Sequence, residues 1–256
     1  MKSAKIITIR NLGSSFIEMW LEEKDIAHLA RPGQFVMISP GNTFDPFLKR
    51  PLAILSTQET QFGLLFEIVG RGTELLSQFH PGDLVPVFGP LGNGFSLSPK
   101  EAILIAGGRG LVPLSFLANY FHQKKIPYIF FFGMKDHSEA VLSETIYHLQ
   151  PSLILSCQEK ISGQYHGTVL DAFTDWLAHS SSTSETTIYT CGPQEMYQEM
   201  SQIKSITSFR VEISLESRMG CGYGVCLSCA VKKKGFPGYY HVCKDGPVFR
   251  LGEVEL

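Results

Sequence analysis

Four cysteines near the C-terminus are the residues best suited to chemistry in this chain of 256 residues. They run Cys221-Gly-Tyr-Gly-Val-Cys226-Leu-Ser-Cys229, with Cys243 following after thirteen intervening residues. C-x4-C-x2-C…C is the plant-type spacing of a [2Fe–2S] cluster. Each iron needs two thiolates, so this short loop must wrap the cluster and aim three sulfurs inward. Gly222 and Gly224 adopt backbone angles closed to other residues. They also let backbone N–H groups approach the inorganic sulfides, which tunes the potential. A structural zinc site is the alternative. Zinc frameworks usually carry two C-x2-C pairs, or one pair with two histidines, whereas here a single C-x2-C and a C-x4-C are interleaved with glycines. The spacing favours the cluster, a carrier of one electron at a time.

Further residues suit anions and nucleotides. Arg50-Pro51-Leu52-Ala53 stands at the start of a strand. An arginine there can fork onto a pyrophosphate, and Pro51 fixes the backbone where the strand begins. In Glu67-Ile-Val-Gly70-Arg-Gly72-Thr73, the amides of Gly72 and Thr73 open a helix over 74–79, and exposed N–H groups at a helix start attract anions. Thr73 can also cap that helix. Gly107-Gly108-Arg109-Gly110 lies between a strand and a helix, where a nucleotide pyrophosphate meets a helix end, although the spacing is not G-x-G-x-x-G. Cys191-Gly192-Pro193 ends a later strand, and ligands of open sheets bind at such ends. Taken singly, each also reads as plain structure: Arg50 as a surface charge, the glycine segments as tight turns.

Three regions must position these residues. Residues 1–98 carry short apolar runs at 4–9, 16–21, 35–38, 52–55, 63–69 and 84–88. Turn signals such as Asn11-Leu-Gly, Arg31-Pro-Gly, Pro40-Gly-Asn and Pro81-Gly-Asp separate them, which predicts a small antiparallel barrel. Residues 99–205 alternate strands at 102–106, 128–132, 152–157 and 188–190 with helices at 111–124, 139–149, 168–179 and 194–204. That order predicts a parallel sheet with helices on both faces. The polar stretch 180–187, with its serine-rich tract 180–184, reads as a surface loop. Residues 206–256 form a third lobe with two small strand pairs. It is too short to bury its own core, so the metal centre must hold it together. The expected class is a multidomain α/β plus β chain: antiparallel barrel, parallel α/β domain and small cysteine lobe.

Composition supports this. Hydrophobic residues make up 44% and charged residues 18%, the balance of a packed protein rather than a disordered one. The net charge of −2 and the lack of a long basic run argue against nucleic acid, and Lys232-Lys233-Lys234 reads as a solvated hairpin tip. The N-terminus lacks the apolar core of a signal peptide, and no run approaches the ~18 apolar residues of a membrane span. A cytoplasmic location is expected, with the cysteines used for metal rather than disulfides. Of the two left over, Cys157 follows an apolar run and reads as a core residue.

Taken in order, Arg50-Pro-Leu-Ala53, Gly70-Arg-Gly-Thr73, Gly107-Gly-Arg-Gly110, Cys191-Gly-Pro193 and Glu216-Ser-Arg-Met219-Gly-Cys221 through Cys229 resemble the ferredoxin-NADP reductase superfamily across essentially the whole chain. The cysteine lobe is the specific part, and it is similar to the electron-transfer subunits of class 1B dihydroorotate dehydrogenases. The resemblance implies FAD between the barrel and the nucleotide domain, NAD on the α/β domain and a [2Fe–2S] cluster in the tail. Arg50, Pro51, Leu52 and Ala53 would line the flavin and its phosphates. Leu65, Phe66, Glu67, Gly72 and Thr73 would complete the FAD site. Gly107, Gly108, Gly110, Cys191, Gly192 and Pro193 would hold NAD, and Cys221, Cys226, Cys229 and Cys243 would ligate the cluster. The implied partner is an FMN-containing catalytic subunit in a heterotetramer of two plus two. Electrons would run from dihydroorotate through that FMN, the cluster and FAD to NAD, in pyrimidine biosynthesis. No catalytic acid or base is expected in this chain.

Ala53 departs from the Ser or Thr of many members and leaves only a backbone amide for the flavin ring. Leu52 replaces an aromatic residue of the wider superfamily. Arg109 replaces a glycine of the family's run, adding bulk and a reach toward a phosphate. Lys135 and Asp136 point opposite ways on NADP against NAD; the resemblance favours NAD. Two other functions stay open: a sibling reductase subunit serving a bifurcating enzyme, a sulfite reductase or a hydrogenase, and a zinc-stapled binding module without enzymatic activity.

Overall fold

The computed structural model describes residues 2–13, 15–41, 45–149, 152–162, 164–180 and 185–256. The serine tract expected as a surface loop lies outside them but for Ser180, as does Asn42 of one expected turn.

The first region closes into a six-stranded barrel of β1 (Lys2–Asn11), β2 (Phe16–Glu22), β3 (Phe35–Ile38), β4 (Arg50–Gln58), β5 (Gln61–Glu67) and β6 (Leu84–Leu91), in the order β1-β2-β5-β4-β3-β6. All its pairings are antiparallel. Ile6, Met19, Leu21, Val36, Ile38, Leu64, Val85 and Val87 fill its interior, fully or almost fully buried. Each such side chain stabilises the fold by about 1.5–3 kcal/mol. Two short helices accompany the strands. Helix α1 (Lys24–Leu29), which the strand pattern does not announce, is capped by the Glu23 side chain. Helix α2 (Arg71–Ser77) starts three residues earlier than expected, because the Thr73 hydroxyl reaches back to accept from Gly70 N at 3.3 Å and stabilises the turn around Gly70.

The second region forms a seven-stranded sheet, in order β10-β9-β8-β7-β11-β12-β15. Its strands are β7 (Glu101–Gly107), β8 (Tyr128–Met134), β9 (Ser152–Cys157), β10 (Tyr165–His166), β11 (Thr186–Cys191), β12 (Arg210–Ser214) and β15 (Val248–Arg250). Helices α3 (Leu111–Lys124), α5 (Val169–His179) and α6 (Gln194–Gln202) match the expected segments closely. The segment 139–149 does not form one helix: a 3-10 stretch, His137–Ser143, leads into the single turn α4 (Glu144–Tyr147). The Asp136 side chain starts the 3-10 stretch by accepting from Ser138 N at 2.8 Å.

Beyond residue 205 the structure departs from the expected division. Strand β12 pairs in parallel with β11, and β15 pairs antiparallel with β12. The two strand pairs expected in 206–256 are both present, β12 with β15 and β13 (Ala230–Lys232) with β14 (Tyr239–His241), but the first of them extends the parallel sheet. The physical reason is edge satisfaction: β12 covers β11, and the chain returns to cover β12. The lobe shares its apolar core with its neighbours, since Cys229, Val242, Cys243 and Phe249 cluster with Phe35 and Met37 of the barrel and Ile213 of the sheet.

The regions are fastened together. Helix α3 is buried between β4 and the sheet, and Asn119 donates to the Ser56 hydroxyl at 2.8 Å. Tyr189 donates to Ser96 O at 2.9 Å, and Ser96 N donates to Glu212 at 2.9 Å. At the other end Asn93 N donates to Gly246 O at 2.6 Å. Cys157 is fully buried in the core.

Candidate functional site

The cysteine loop lies on the barrel. Gly222 and Gly224 have φ of +82° and +83°, the left-handed region that glycine enters freely. Gly222 has a second reason to be glycine: a Cβ would stand 2.6 Å from Met37 Cγ. Tyr223 packs edge-on against Phe88 at 6.0 Å. Each of the four sulfurs accepts a backbone N–H. Val225 N donates to Cys221 at 3.3 Å, Cys221 N to Cys226 at 3.4 Å, Cys243 N to Cys229 at 3.5 Å and Gly224 N to Cys243 at 3.1 Å. Such donors stabilise thiolates. Burial raises the Cys221 thiol, but the surrounding amides outweigh it and bring it down to about 6. Burial and then the Cys229 thiol push Cys243 up to about 12.

The sulfurs do not converge on one point. Among the described residues no group of three or more His, Cys, Asp or Glu side chains is gathered to hold one metal ion, while the Cys229 and Cys243 sulfurs are 3.2 Å apart. A pair of buried thiols, a pair nearer solvent and an amide on every sulfur are compatible with a two-iron cluster.

A cavity of about 320 Å³ opens where barrel, sheet and the segment after β12 meet. Arg50, Pro51, Leu52 and Ala53 of β4 and Leu65, Phe66 and Glu67 of β5 form one side, with Thr73 of α2. Cys191, Ser214 and Met219 form the other. Gly72 is not on the wall but beneath it: a Cβ there would lie 2.0 Å from Arg50 Nε. The guanidinium thus lies flat on the start of α2 and donates to Leu48 O, an arrangement suited to a phosphate.

A second cavity, of about 660 Å³, lies at the C-terminal ends of the parallel strands. The order β9-β8-β7-β11-β12 reverses direction between β7 and β11, which is where open sheets bind ligands. Gly107, Gly108 and Gly110 line it from the end of β7, and Gly192 and Pro193 from the end of β11. The two turns touch. A Cβ on Gly110 would lie 1.9 Å from Cys191 O, and one on Gly192 2.5 Å from Met196 Cε. Tyr197 buttresses the β11 turn, accepting from Gly192 N at 2.9 Å and donating to Ser214 O at 2.6 Å. Cys191 faces the smaller cavity, not this one. Burial and then Glu216 push its thiol up to about 12, so it is an inert packing thiol.

Sequence reasoning missed several lining residues. Glu139 borders the larger cavity, accepts from Lys135 N at 2.8 Å and lies against Gly108, whose Cβ would be 3.1 Å from its Oε1. Burial first, then the charges of Asp136 and Glu67, raise its carboxyl above the ordinary value of 4.5. Lys135 lines this cavity, but Asp136 does not: it is used up as the cap described above. Glu195, Glu199, Glu216 and Gln158 also line it. No local pattern marks these residues; only their position beside the glycine turns does.

Residues 216–255 match the iron-sulfur cluster binding domain of dihydroorotate dehydrogenase B, and residues 104–202 match an oxidoreductase NAD-binding domain. A dihydroorotate dehydrogenase B (NAD(+)) electron transfer subunit of Desulforamulus reducens is 36% identical over 260 residues, covering 98% of this chain and 97% of its own. That of Caldanaerobacter subterraneus is 34% identical over 256 residues, with the same coverage. This chain belongs to that family. Its members are subunits of an oxidoreductase and work beside a catalytic partner. Among solved structures, the fold is similar to that of an NADH-dependent reduced ferredoxin-NADP oxidoreductase studied for flavin-based electron bifurcation, at TM-score 0.83, 24% identity, and 98% of this chain and 89% of that one. It is also similar to a ferredoxin NADP+ reductase from Neisseria gonorrhoeae, at TM-score 0.65, 15% identity, and 78% and 89% of the two chains. The barrel-plus-parallel-sheet architecture is thus that of the ferredoxin-NADP reductases. Among the described residues no helix is long and apolar enough to cross a membrane.

Proposed function

We propose that this chain is the electron-transfer subunit of an NAD-linked dihydroorotate dehydrogenase, passing electrons from an FMN-containing catalytic subunit to NAD in pyrimidine biosynthesis. The observation that carries the reading is the adjacency of three sites. The two cavities share Glu67, Arg109 and Glu216 as a common wall. Met219, two residues before Cys221, lines the smaller one. A nucleotide seat, an apolar seat and a cysteine loop therefore follow one another without a gap.

The smaller cavity is the FAD seat. Arg50 and Thr73, over Gly72, hold the phosphates; Pro51, Leu52, Ala53, Leu65, Phe66 and Glu67 enclose the ring. Gly107, Gly108, Gly110, Gly192 and Pro193 hold NAD, with Cys191 packing at the junction. Five carboxylates, Glu67, Glu139, Glu195, Glu199 and Glu216, face two cations, Lys135 and Arg109, across the larger cavity. This excess of negative charge disfavours a 2′-phosphate and favours NAD. Cys229 and Cys243, the close pair, would hold one side of a bound cluster, and Cys221 and Cys226 the other. Bound FAD accepts two electrons as a hydride and releases them singly, which a one-electron cluster requires. The chain's own groups supply binding, orientation and exclusion of water. A barrel at 1–98, a nucleotide domain from 99 that includes β12, and a cysteine lobe ending near β15 are the working units.

Tyr223, Val225 and Leu227 are exposed around the cysteine loop, at 56%, 69% and 63%. This apolar rim supports docking of the catalytic subunit there. The reduced thiols that the cluster needs fit a cytoplasmic setting. The test is direct. Purified protein should be brown, release FAD on acid precipitation and contain two irons per chain. Combined with a dihydroorotate-oxidising FMN subunit, it should form NADH from dihydroorotate and NAD. Colourless protein containing zinc, or a complex that forms no NADH, overturns the reading.

A further inference from the structure

Arg109 is the one non-glycine in its turn, and the turn does not need its side chain. Its guanidinium joins three parts of the molecule. Nη1 donates to Glu67 Oε2 on β5 at 3.1 Å, and Nη2 lies 4.0 Å from Glu216 Oε2 on the segment after β12. These three residues border both cavities. A nicotinamide ring bound in the larger cavity must pass them to enter the smaller. The three side chains are 47%, 31% and 59% exposed, so the pairs are weakly held and open readily. The turn that carries Arg109 is also the one that faces a dinucleotide pyrophosphate. A diphosphate offers more charge than one carboxylate and accepts a guanidinium through two oxygens. It can therefore draw Arg109 away from both glutamates, which then repel each other.

We propose that Arg109 is a specificity-determining latch: paired with Glu67 and Glu216 it closes the way between the cavities, and the pyrophosphate of a bound dinucleotide releases it. Nicotinamide compounds that carry a diphosphate reach the flavin seat, and those without one do not. The inference rests on the assignment of the two cavities to FAD and NAD.

The test uses protein loaded with FAD and cluster and two probes. ADP supplies the diphosphate alone; reduced nicotinamide riboside supplies the ring alone. ADP affinity is measured by calorimetry. The riboside is followed by flavin bleaching: a hydride with its two electrons leaves the riboside, which ends oxidised, and the flavin ends reduced. In the natural protein the riboside should bleach the flavin slowly, and ADP should speed it by about fivefold or more. Arg109→Ala should bind ADP about tenfold more weakly, yet bleach rapidly whether or not ADP is present. Glu216→Gln should bind ADP more tightly and also bleach faster, and its effect on ADP should shrink in an Arg109→Ala background to the part owed to the lost negative charge alone. A residue that merely supports the fold cannot move the two readouts in opposite directions. Bleaching in Arg109→Ala no faster than in the natural protein overturns the latch, as does a Glu216→Gln effect on ADP that is undiminished without Arg109. If NADH itself fails to bleach the natural protein, the cavity assignment is at fault instead, and the calorimetry still reports whether Arg109 holds a diphosphate.

Discussion

Replacing Gly72 with alanine tests the flavin seat in isolation. The new Cβ would fall 2.0 Å from Arg50 Nε, 2.2 Å from Cζ and 2.3 Å from Nη2. Ordinary contact needs about 3.5 Å, so the guanidinium must leave its place. It can do so, because it is the far end of a flexible side chain that donates to Leu48 O. The backbone need not move, and alanine is worth about 1 kcal/mol over glycine inside a helix such as α2. Stability should therefore hold or rise slightly. What is lost is the charge-assisted hydrogen bonding of Arg50 to a flavin phosphate, about 1.5–3 kcal/mol, which is about 10- to 150-fold in FAD affinity. The assay is FAD titration of flavin-free protein followed by fluorescence quenching, with the melting temperature of that protein as control. Arg50→Ala should weaken FAD by a similar factor, and the double variant by no more than either single one. Unchanged FAD affinity in Gly72→Ala, or full additivity in the double variant, would refute the assignment of Arg50 to the phosphates.

Gly110→Ala presents a similar overlap with the opposite result. Its Cβ meets the Cys191 backbone at 1.9 Å, which cannot swing aside, so chemical denaturation should show a loss of about 3 kcal/mol along with lost NAD binding. Cys226→Ser should remove the cluster's spectroscopic signals and leave NADH-linked dye reduction, since Cys226 lines neither cavity. Dye reduction that disappears with the cluster would reverse the assumed order of carriers. Cys243→Ser, at a buried position packed with Phe249 and Val242, should in addition make the lobe sensitive to proteolysis. Glu139, with its carboxyl raised above 4.5 by burial, holds its proton in the folded chain to higher pH than in the unfolded one. Its contribution is thus present below 4.5 and lost as pH rises through the folded value. Glu139→Gln should flatten the melting temperature over that range and tighten NAD by removing a negative charge beside Gly108.

Much of this was legible one element at a time. The strands of the barrel and the alternation of the α/β region follow from periodicity and turn residues. Helix α3 and strand β9 fall where the apolar runs place them. What failed was where distant partners decided. Segment 139–149 has helix-forming residues, but Asp136 and the contact with Gly108 wind its first half as 3-10. Residues 210–214 fall within the stretch expected as the lobe, and only the pairing of β12 with β11 reveals that they join the sheet.

The candidate site divides the same way. Cysteine spacing and glycine runs are local requirements of a metal loop and of anion-binding turns, and local requirements are written in adjacent residues. By itself, then, the sequence determined the cysteine spacing, the two glycine turns and the arginine at the start of β4. The carboxylate lining of the larger cavity, the seating of Arg50 on Gly72 and the bridging of Glu67 and Glu216 by Arg109 join residues up to 149 positions apart. Those relations exist only after the barrel, the sheet and the returning chain have packed, because charge and close contact act across space and not along the chain.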